Sequence, residues 1–214
     1  MKIITVLENC WLIVATLSVL IVSLILGDSI MGISSAISGI VCVVLTARGK
    51  ISAYYFGVIN CILYSIIAYQ QTLYGETLLN TCYYLPLQFI GFKVWKKHLN
   101  KNFTVKPISL SFNEKIILLI IIISGTSCLG LILQNYGDKI PFIDAFTTVA
   151  SVIAMTLSAK RYSEQWYIWI SINILSIYMW ANRYLSNGEN IATFMMWIVF
   201  LLNSFYGLYK WKKK

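Results

Sequence analysis

The strongest constraint on the fold of this chain is a series of long segments that contain no Asp, Glu, Lys or Arg. A helix needs roughly 20 mostly apolar residues to cross a hydrocarbon core of about 30 Å. Only 12% of the 214 residues are charged, about half of the ~25% that is usual in a soluble domain. The pattern predicts an all-α integral membrane protein with eight transmembrane helices, at residues 9–27, 29–47, 51–75, 77–92, 116–137, 145–159, 165–182 and 190–209.

The limits of two of these segments need a separate argument. The run 145–159 is short, and we expect its helix to begin near Pro141, because proline suits the first helical turn. The run 9–27 follows a segment in which Lys2 is offset by Glu8, and no small-x-small cleavage site precedes the next apolar run. We therefore interpret residues 9–27 as a retained N-terminal helix and not as a signal peptide.

The basic residues are segregated by side. Of the 17 lysines and arginines, all but Lys139 and Arg183 fall on the side of the termini if there are eight crossings. Because cytoplasmic loops carry an excess of Lys and Arg, both termini are predicted to be cytoplasmic. The basic stretch 93–106 could also suggest nucleic acid, but beside a membrane we interpret it as a topology signal and a contact for anionic lipid, with no nucleic-acid partner.

Several kinds of chemistry lack the residues that they require. The five cysteines are odd in number and lie within the apolar segments, and His98 is the only histidine. Neither a disulfide framework nor a metal site is indicated, and a catalytic triad has no histidine in the membrane. No Gly-rich phosphate loop is present, so no cofactor is predicted. No segment has a central ionisable residue, the usual sign of ion coupling.

The chain also repeats itself. A shift of 113 positions aligns Arg48 with Arg161 and Asn60 with Asn173, and a shift of 116 aligns Trp95-Lys96-Lys97 with Trp211-Lys212-Lys213. Matched positions lie on the same side of the membrane, so the two three-helix repeats are parallel and need an extra helix between them. We predict one membrane domain over 1–214, made of the N-terminal helix 9–27, repeat 29–97, linker helix 116–137 and repeat 141–213.

Polar and aromatic side chains recur at helical spacing within these segments. Amides facing lipid are costly, so such faces should point into the bundle. A neutral cavity of amides and aromatic rings suits a flat, neutral or weakly cationic ligand. Interhelical hydrogen bonds and an interfacial aromatic belt are the alternative, which we favour for Trp11, Trp95 and Trp211. The predicted substrate-binding set is Trp166, Trp169, Asn173, Gln88, Tyr84, Asn80, Asn60, Tyr64 and Asn203.

Several of these segments resemble one known family. Gly49-Lys50-Ile51-Ser52, Tyr83-Tyr84-Leu85-Pro86-Leu87-Gln88-Phe89-Ile90-Gly91 and Trp166-x-x-Trp169-x-x-x-Asn173 are similar to sequences of the PnuC family of bacterial vitamin transporters. The resemblance implies facilitated diffusion (uniport) of nicotinamide riboside through a SWEET-like fold. It also implies a homotrimer in the bacterial cytoplasmic membrane, substrate trapping by a cytoplasmic kinase, and a substrate-binding role for Trp166, Trp169 and Asn173.

Two alternatives stay open from the sequence. Relatives of the same fold take up thiamine, riboflavin or deoxynucleosides, so the resemblance leaves the exact vitamin undecided. A membrane sensor or enzyme could bind the same ligand without moving it. An enzyme would need a nucleophile with a base or a metal, and the membrane segments offer hydroxyls and thiols but neither histidine nor a central carboxylate. We therefore expect a transporter and not an enzyme.

Overall fold

The computed structural model describes residues 13–14, 16–22, 24–25, 29–70, 77–137, 140–187 and 191–213. Within these ranges the chain is helical apart from short connections, and β pairing is limited to isolated bridges. Each of the eight predicted segments is mainly helical where it is described, including residues 13–14, 16–22 and 24–25. The all-α prediction is confirmed. The helices are α1 Ile30–Arg48, α2 Ala53–Gln70, a π-helical turn Leu79–Tyr84 that continues into α3 Leu85–Lys96, α4 Phe112–Asn135, α5 Pro141–Ala159, α6 Gln165–Asn187 and α7 Ile191–Lys212.

Local sequence signals explain where several helices begin and end. Ser29 caps α1 by accepting a hydrogen bond from the Gly32 amide at 3.0 Å. Ser111 and Glu114 form a capping box at the start of α4, which satisfies amides that have no partner within the helix. Helix α5 begins at Pro141, as predicted. Gly49 ends α1 with a φ of 71°, a left-handed conformation that glycine adopts without a steric penalty.

A π-helical turn precedes Pro86. The Leu85 amide donates to the Asn80 carbonyl, five residues back, where an α-helix would use the carbonyl four residues back. Proline has no amide hydrogen and its ring crowds the preceding turn, so the wider turn relieves a conflict that Pro86 would cause inside a regular helix. This wide turn also changes the register of the side chains before Pro86 relative to those after it.

The outer surfaces are those of a membrane protein. Within the described ranges, α1, α4 and α5 are each long and apolar enough to cross a membrane by length and composition. Helix α4 is the clearest case, because most of its isoleucines and leucines are exposed, among them Ile117, Leu119 and Ile120. Large apolar side chains at this density would not face water in a soluble domain. They face the apolar solvent of a bilayer.

The helices pack so that the two halves of the chain exchange contacts. Helix α1 packs against α2 and also against α7, near the end of the chain. Helix α5 packs against α6 and α4, and also against α3 from the first half. The first helix of each half thus contacts the last helix of the other half.

One end of the bundle, which we call the basic end, is built from the C-terminal ends of α1, α3, α5 and α7 and from a connecting segment, residues 97–111, which we call the strap. The Val105 amide of the strap donates to the Gly49 carbonyl at 2.8 Å, and the Ile108 amide donates to the Arg161 carbonyl at 3.0 Å. Gly49 and Arg161 have nearly equal positive φ angles of 71° and 70°. The strap therefore forms equivalent hydrogen bonds with the turn that follows the first helix of each half.

Four buried rings, which we call the aromatic layer, fill the basic end: Tyr54, Trp95, Trp211 and Trp166. Their centroids follow one another at 5.1, 5.7 and 5.7 Å. The Trp95 indole donates to the Ser158 carbonyl at 3.0 Å, and the Trp211 indole donates to the Ala47 carbonyl at 3.1 Å. Each half thus donates one buried indole hydrogen bond to the other half.

The interpretation of Trp95 and Trp211 as an interfacial belt is wrong. Trp95 is fully buried and Trp211 is 3% exposed, so neither ring reaches the lipid. Both indoles find a carbonyl at the end of a helix of the opposite half, and this tertiary contact could not be read from their position in the sequence. Trp11 lies outside the described residues.

The two indole bonds generate a stability prediction with an internal comparison. We expect Trp211→Phe to destabilise the protein by roughly 1 to 3 kcal/mol beyond the loss of ring volume, because it removes a donor from a buried carbonyl. Trp95→Phe should cost less, since the Ser158 carbonyl also accepts from the Arg161 amide at 3.0 Å. Thermal unfolding of the two variants in the same detergent measures the difference. Equal losses, or a larger loss for Trp95→Phe, would contradict it.

Candidate functional site

Asn173 is a buried amide at the interface of α6 and α7. Its side chain is 2% exposed, and its Nδ2 donates to the Ser204 hydroxyl at 2.9 Å. That hydroxyl in turn donates to the Phe200 carbonyl at 2.8 Å, so the orientation of the pair is set from α7. A buried amide that donates to a hydroxyl can exchange this bond for one to a ligand with little loss of energy.

Gln88 is a second buried amide, at the interface of α3 and α2. It is 5% exposed, and its Nε2 lies 3.8 Å from the Cys61 sulfur. The amide fits because residue 57 is glycine: a Cβ at Gly57 would lie 2.3 Å from Oε1 of Gln88. Gly57 therefore holds the space in which this side chain sits, a role that the sequence did not indicate.

Asn60 differs from its predicted repeat partner Asn173. Its Nδ2 donates to the Ser35 carbonyl of α1 at 2.8 Å, and it is only partly buried. The contacts match Asn173 with Cys61 instead of Asn60. The Cys61–Gln88 pair joins α2 to α3 as the Asn173–Ser204 pair joins α6 to α7. Asn60 thus links α1 to α2 within the first half.

Asn203 is the most enclosed of the predicted amides. Its Nδ2 donates to the Val43 carbonyl of α1 at 3.0 Å, and only 1% of the residue is exposed. Its Oδ1 is buried and has no partner among the described residues. Because a buried acceptor without a donor costs free energy, this oxygen is suited to accept a hydrogen bond from a ligand or water.

Trp169 lies between the aromatic layer and an apolar cluster built on α5. It packs against both groups and is only partly buried. The apolar cluster contains Ala150 and Ile172 and is also contacted by Trp197 of α7. The Trp197 indole nitrogen is buried without a partner among the described residues. Trp197 therefore joins the candidate site, although the sequence pattern did not place it in the predicted set.

Trp166, Trp169 and Asn173 recur at helical spacing and form a stripe along one face of α6, but the structure places Trp166 in a different environment from Asn173. Trp166 is 3% exposed, lies in the first turn of α6 and packs edge-on against Trp211 in the aromatic layer. A Cβ at Gly207 would lie 2.7 Å from its ring. Trp166 is thus held at the basic end, about two helical turns from Asn173.

Three further predicted residues lie along the same interior with different degrees of enclosure. Asn80 is buried on the π-helical turn, and Tyr84 is partly buried beside the Tyr83 ring, at 5.7 Å between centroids. Tyr64 is 37% exposed and is the least enclosed of the set. Tyr83, which the sequence analysis did not select, contacts the Val152 carbonyl at 2.7 Å and the Thr156 hydroxyl at 2.6 Å, and so ties the π-helical turn to α5.

The arrangement favours binding over bond-making chemistry. Among the described residues, no group of three or more His, Cys, Asp or Glu side chains is placed to hold a metal ion. The predicted residues that lie buried at the helix interfaces carry neutral amides and indoles, and Asn173 pairs with a hydroxyl. Such groups orient a ligand by hydrogen bonds and stacking. A bundle of apolar helices with this interior defines a multi-pass membrane protein of the transporter class.

Comparisons with known proteins identify the particular family. The sequence profile described as nicotinamide mononucleotide transporter matches residues 29–213. The chain is 38% identical to the nicotinamide riboside transporter PnuC of Neisseria mucosa, with 87% of this chain and 73% of that one covered, and equally identical to the PnuC of Haemophilus influenzae, with 87% and 80% covered. A solved structure titled as the vitamin B3 transporter PnuC matches with a TM-score of 0.83 and 37% identity over 97% of this chain and 91% of that one. The chain belongs to the PnuC family, as the sequence resemblance predicted.

The glycine beneath Gln88 generates a prediction about the site. Gly57→Ala should displace the Gln88 amide and weaken ligand binding by about tenfold or more, because the new Cβ would occupy the position of Oε1. The reference is the same substitution in a Gln88→Ala background, where the clash is absent and Gly57→Ala should have little further effect. Binding constants for the four proteins of this cycle measure the coupling. Additive losses would show that Gly57 acts independently of Gln88.

Proposed function

We propose that the protein is a uniporter for nicotinamide riboside in a bacterial cytoplasmic membrane. The observation that carries the proposal is the pair of buried neutral amides, Asn173 and Gln88, with a partly buried indole, Trp169, one helical turn from Asn173. The ligand is a flat pyridinium amide with a ribose, so it offers a cationic ring for stacking and polar groups for the amides. The names of the relatives support this choice of substrate.

We further propose a SWEET-like arrangement in which repeats 29–97 and 141–213 are parallel copies separated by the linker helix 116–137. The reciprocal indole bonds from Trp95 and Trp211 support it, because each crosses from the last helix of one repeat to the first helix of the other. The equivalent bonds of the strap to Gly49 and Arg161 are a second support. A parallel repeat places a substrate site near the midplane between the two bundles.

Transport then follows from a relative movement of the two repeats. The aromatic layer closes the basic end, and its opening requires the two indole–carbonyl bonds to break or shift. Because the sequence predicts this end to be cytoplasmic, with both termini on the same side, the layer is the inner closure in this proposal. The substrate would replace Ser204 as the hydrogen-bond partner of the Asn173 amide. It would also form a hydrogen bond with the Gln88 amide while the outer path is open.

Direction of net uptake comes from chemistry outside the protein. No apolar segment has a central ionisable residue, so we propose that the carrier equilibrates its substrate and does not concentrate it. A cytoplasmic kinase would make accumulation possible, since phosphorylation gives an anionic product that the neutral site does not return. A homotrimer and contacts with anionic lipid at the basic end are further parts of the proposal; the latter is supported by the lysines there.

Uptake into liposomes tests the transport mode and the role of the amide together. With no proton or sodium gradient, the native protein should equilibrate nicotinamide riboside in preference to thiamine, riboflavin and deoxynucleosides. Asn173→Leu should weaken binding by roughly 1 to 3 kcal/mol, because it leaves ligand groups unpaired. Asn60→Leu is the matched control, since Asn60 is only partly buried and donates to the Ser35 backbone carbonyl, so its loss should affect stability more than binding.

Several results would overturn this reading. Accumulation that requires an imposed ion gradient would exclude a uniporter. Tight binding without any exchange across the bilayer would favour a sensor. Preference for another vitamin would change the substrate and leave the mechanism intact. Equal losses of binding in Asn173→Leu and Asn60→Leu would remove the special role of Asn173.

Stacking on Trp169 gives a second test of the proposed substrate. Attraction of a cationic ring to an indole face contributes roughly 0.5 to 2 kcal/mol. Trp169→Phe should keep part of the affinity for nicotinamide riboside, and Trp169→Ala should lose most of it. The reduced, uncharged dihydro analogue should bind the native protein more weakly and respond less to Trp169→Phe. Titration calorimetry with both ligands measures this, and identical responses would mean that the indole only fills space.

A further inference from the structure

A cleft of about 340 Å³ opens at the basic end, outside the amide site. Its walls come from four parts of the chain that are far apart in sequence: the strap, Lys115 of α4, the start of α6 and the end of α7. None of the predicted substrate-binding residues lines it. The function derived above does not use this cleft, although it adjoins the aromatic layer through Trp211.

The acidic group in the cleft is neutralised by the protein. Glu164 is 8% exposed, and its Oε1 lies 3.0 Å from the Lys115 ammonium. Its Oε2 accepts from the Leu110 amide at 3.1 Å and from the Ser163 hydroxyl at 3.3 Å. A carboxylate with three donors is a fixed structural element and does not repel an incoming anion as an unpaired one would.

The remaining wall offers a cation, a ring and hydroxyls. The Lys212 ammonium lies over one face of the Tyr167 ring, 5.0 Å from its centroid, and Tyr167 is 46% exposed. The hydroxyls of Ser109 and Ser163, which also line the cleft, lie 3.1 Å apart. An ammonium suits a phosphate, an exposed ring suits a planar base, and paired hydroxyls suit a sugar.

We propose that this cleft binds a nucleoside 5′-phosphate from the side of the basic end, with its phosphate at Lys212, its base on Tyr167 and its ribose toward Ser109 and Ser163. An anionic phospholipid could bring the same phosphate chemistry, but a lipid headgroup has no planar base for the exposed ring. The proposal therefore commits to a nucleotide and treats lipid as a competing source in the test.

Such a ligand would inhibit transport, and this part of the inference rests on the proposed function. An occupant would bridge the strap to α6 and α7, and Trp211, which lines the cleft, carries the bond to the Ala47 carbonyl of α1. It would thus hold the basic end closed. The product of phosphorylating the transported nucleoside has the chemistry of this ligand, so product that accumulates inside would slow further entry.

The chain provides a matched pair of lysines for the experiment. Lys212 lines the cleft, whereas Lys213, the next residue, lies over the Tyr209 ring at 4.3 Å and does not line it. Titration of the purified full-length protein with nicotinamide mononucleotide should give binding that Lys212→Gln weakens about tenfold and Lys213→Gln leaves nearly unchanged. Binding should also weaken as salt is raised, and inorganic phosphate should compete poorly because it has no base.

Asn173→Leu separates this cleft from the transport site. Nicotinamide mononucleotide should still bind this variant, while nicotinamide riboside binding falls. Nucleotide binding that is lost in Asn173→Leu and kept in Lys212→Gln would place the nucleotide in the transport site and overturn the proposal. Because the readout is binding, it remains decisive even if the protein does not transport nicotinamide riboside.

Transport assays in liposomes test whether the bound nucleotide inhibits transport and whether anionic lipid is the ligand instead. In neutral lipid, nicotinamide mononucleotide on the side of the basic end should inhibit exchange of substrate by the native protein and by Lys213→Gln, but not by Lys212→Gln. Inhibition that anionic lipid produces alone, with no effect of nucleotide in neutral lipid, would assign the cleft to lipid and refute the nucleotide. Equal inhibition of the two lysine variants would also refute it.

Discussion

Two buried indole–carbonyl hydrogen bonds join the halves of the protein, and the basic end depends on them. Trp95 reaches the end of α5 and Trp211 reaches the end of α1, so each donates to a carbonyl in the last turn of a helix, where partners within the helix run out. The Ser158 carbonyl also accepts from the Arg161 amide. In a bilayer such groups cannot turn to water. The burial of Trp95 and Trp211 within the aromatic layer is consistent with that requirement.

The need to pair buried polar groups with partners inside the protein also governs the interior of the bundle. Asn173, Gln88 and Asn203 are amides that would be costly against lipid, and each is turned inward to a partner on a neighbouring helix. Close approach of the helices makes this possible: Gly57 admits the Gln88 amide, and Gly207 admits the ring of Trp166. In the proposed carrier, a polar ligand would bind in this interior by replacing hydrogen bonds that these neutral amides make within the protein.

The sequence alone determined the helices and the nature of their surroundings. Charge-free segments long enough to cross a bilayer predict where helices lie, because the cost of placing a charge in hydrocarbon is large and local in sequence. Proline at position 141 and the cap at Ser29 act within one turn, so the helix ends are also readable. The motif around Tyr83 to Gly91 was enough to indicate the family.

Which side chains share a site was decided only by the tertiary structure. The stripe that placed Trp166 beside Asn173 assumed one environment along the helix, whereas Trp166 packs in the aromatic layer and Asn173 pairs with Ser204. Trp95 and Trp211 had the positions of belt residues, yet contacts with the opposite half buried them. Helical periodicity shows which face a residue occupies, but the partner of that face depends on how distant segments pack, and no local pattern in the chain records it.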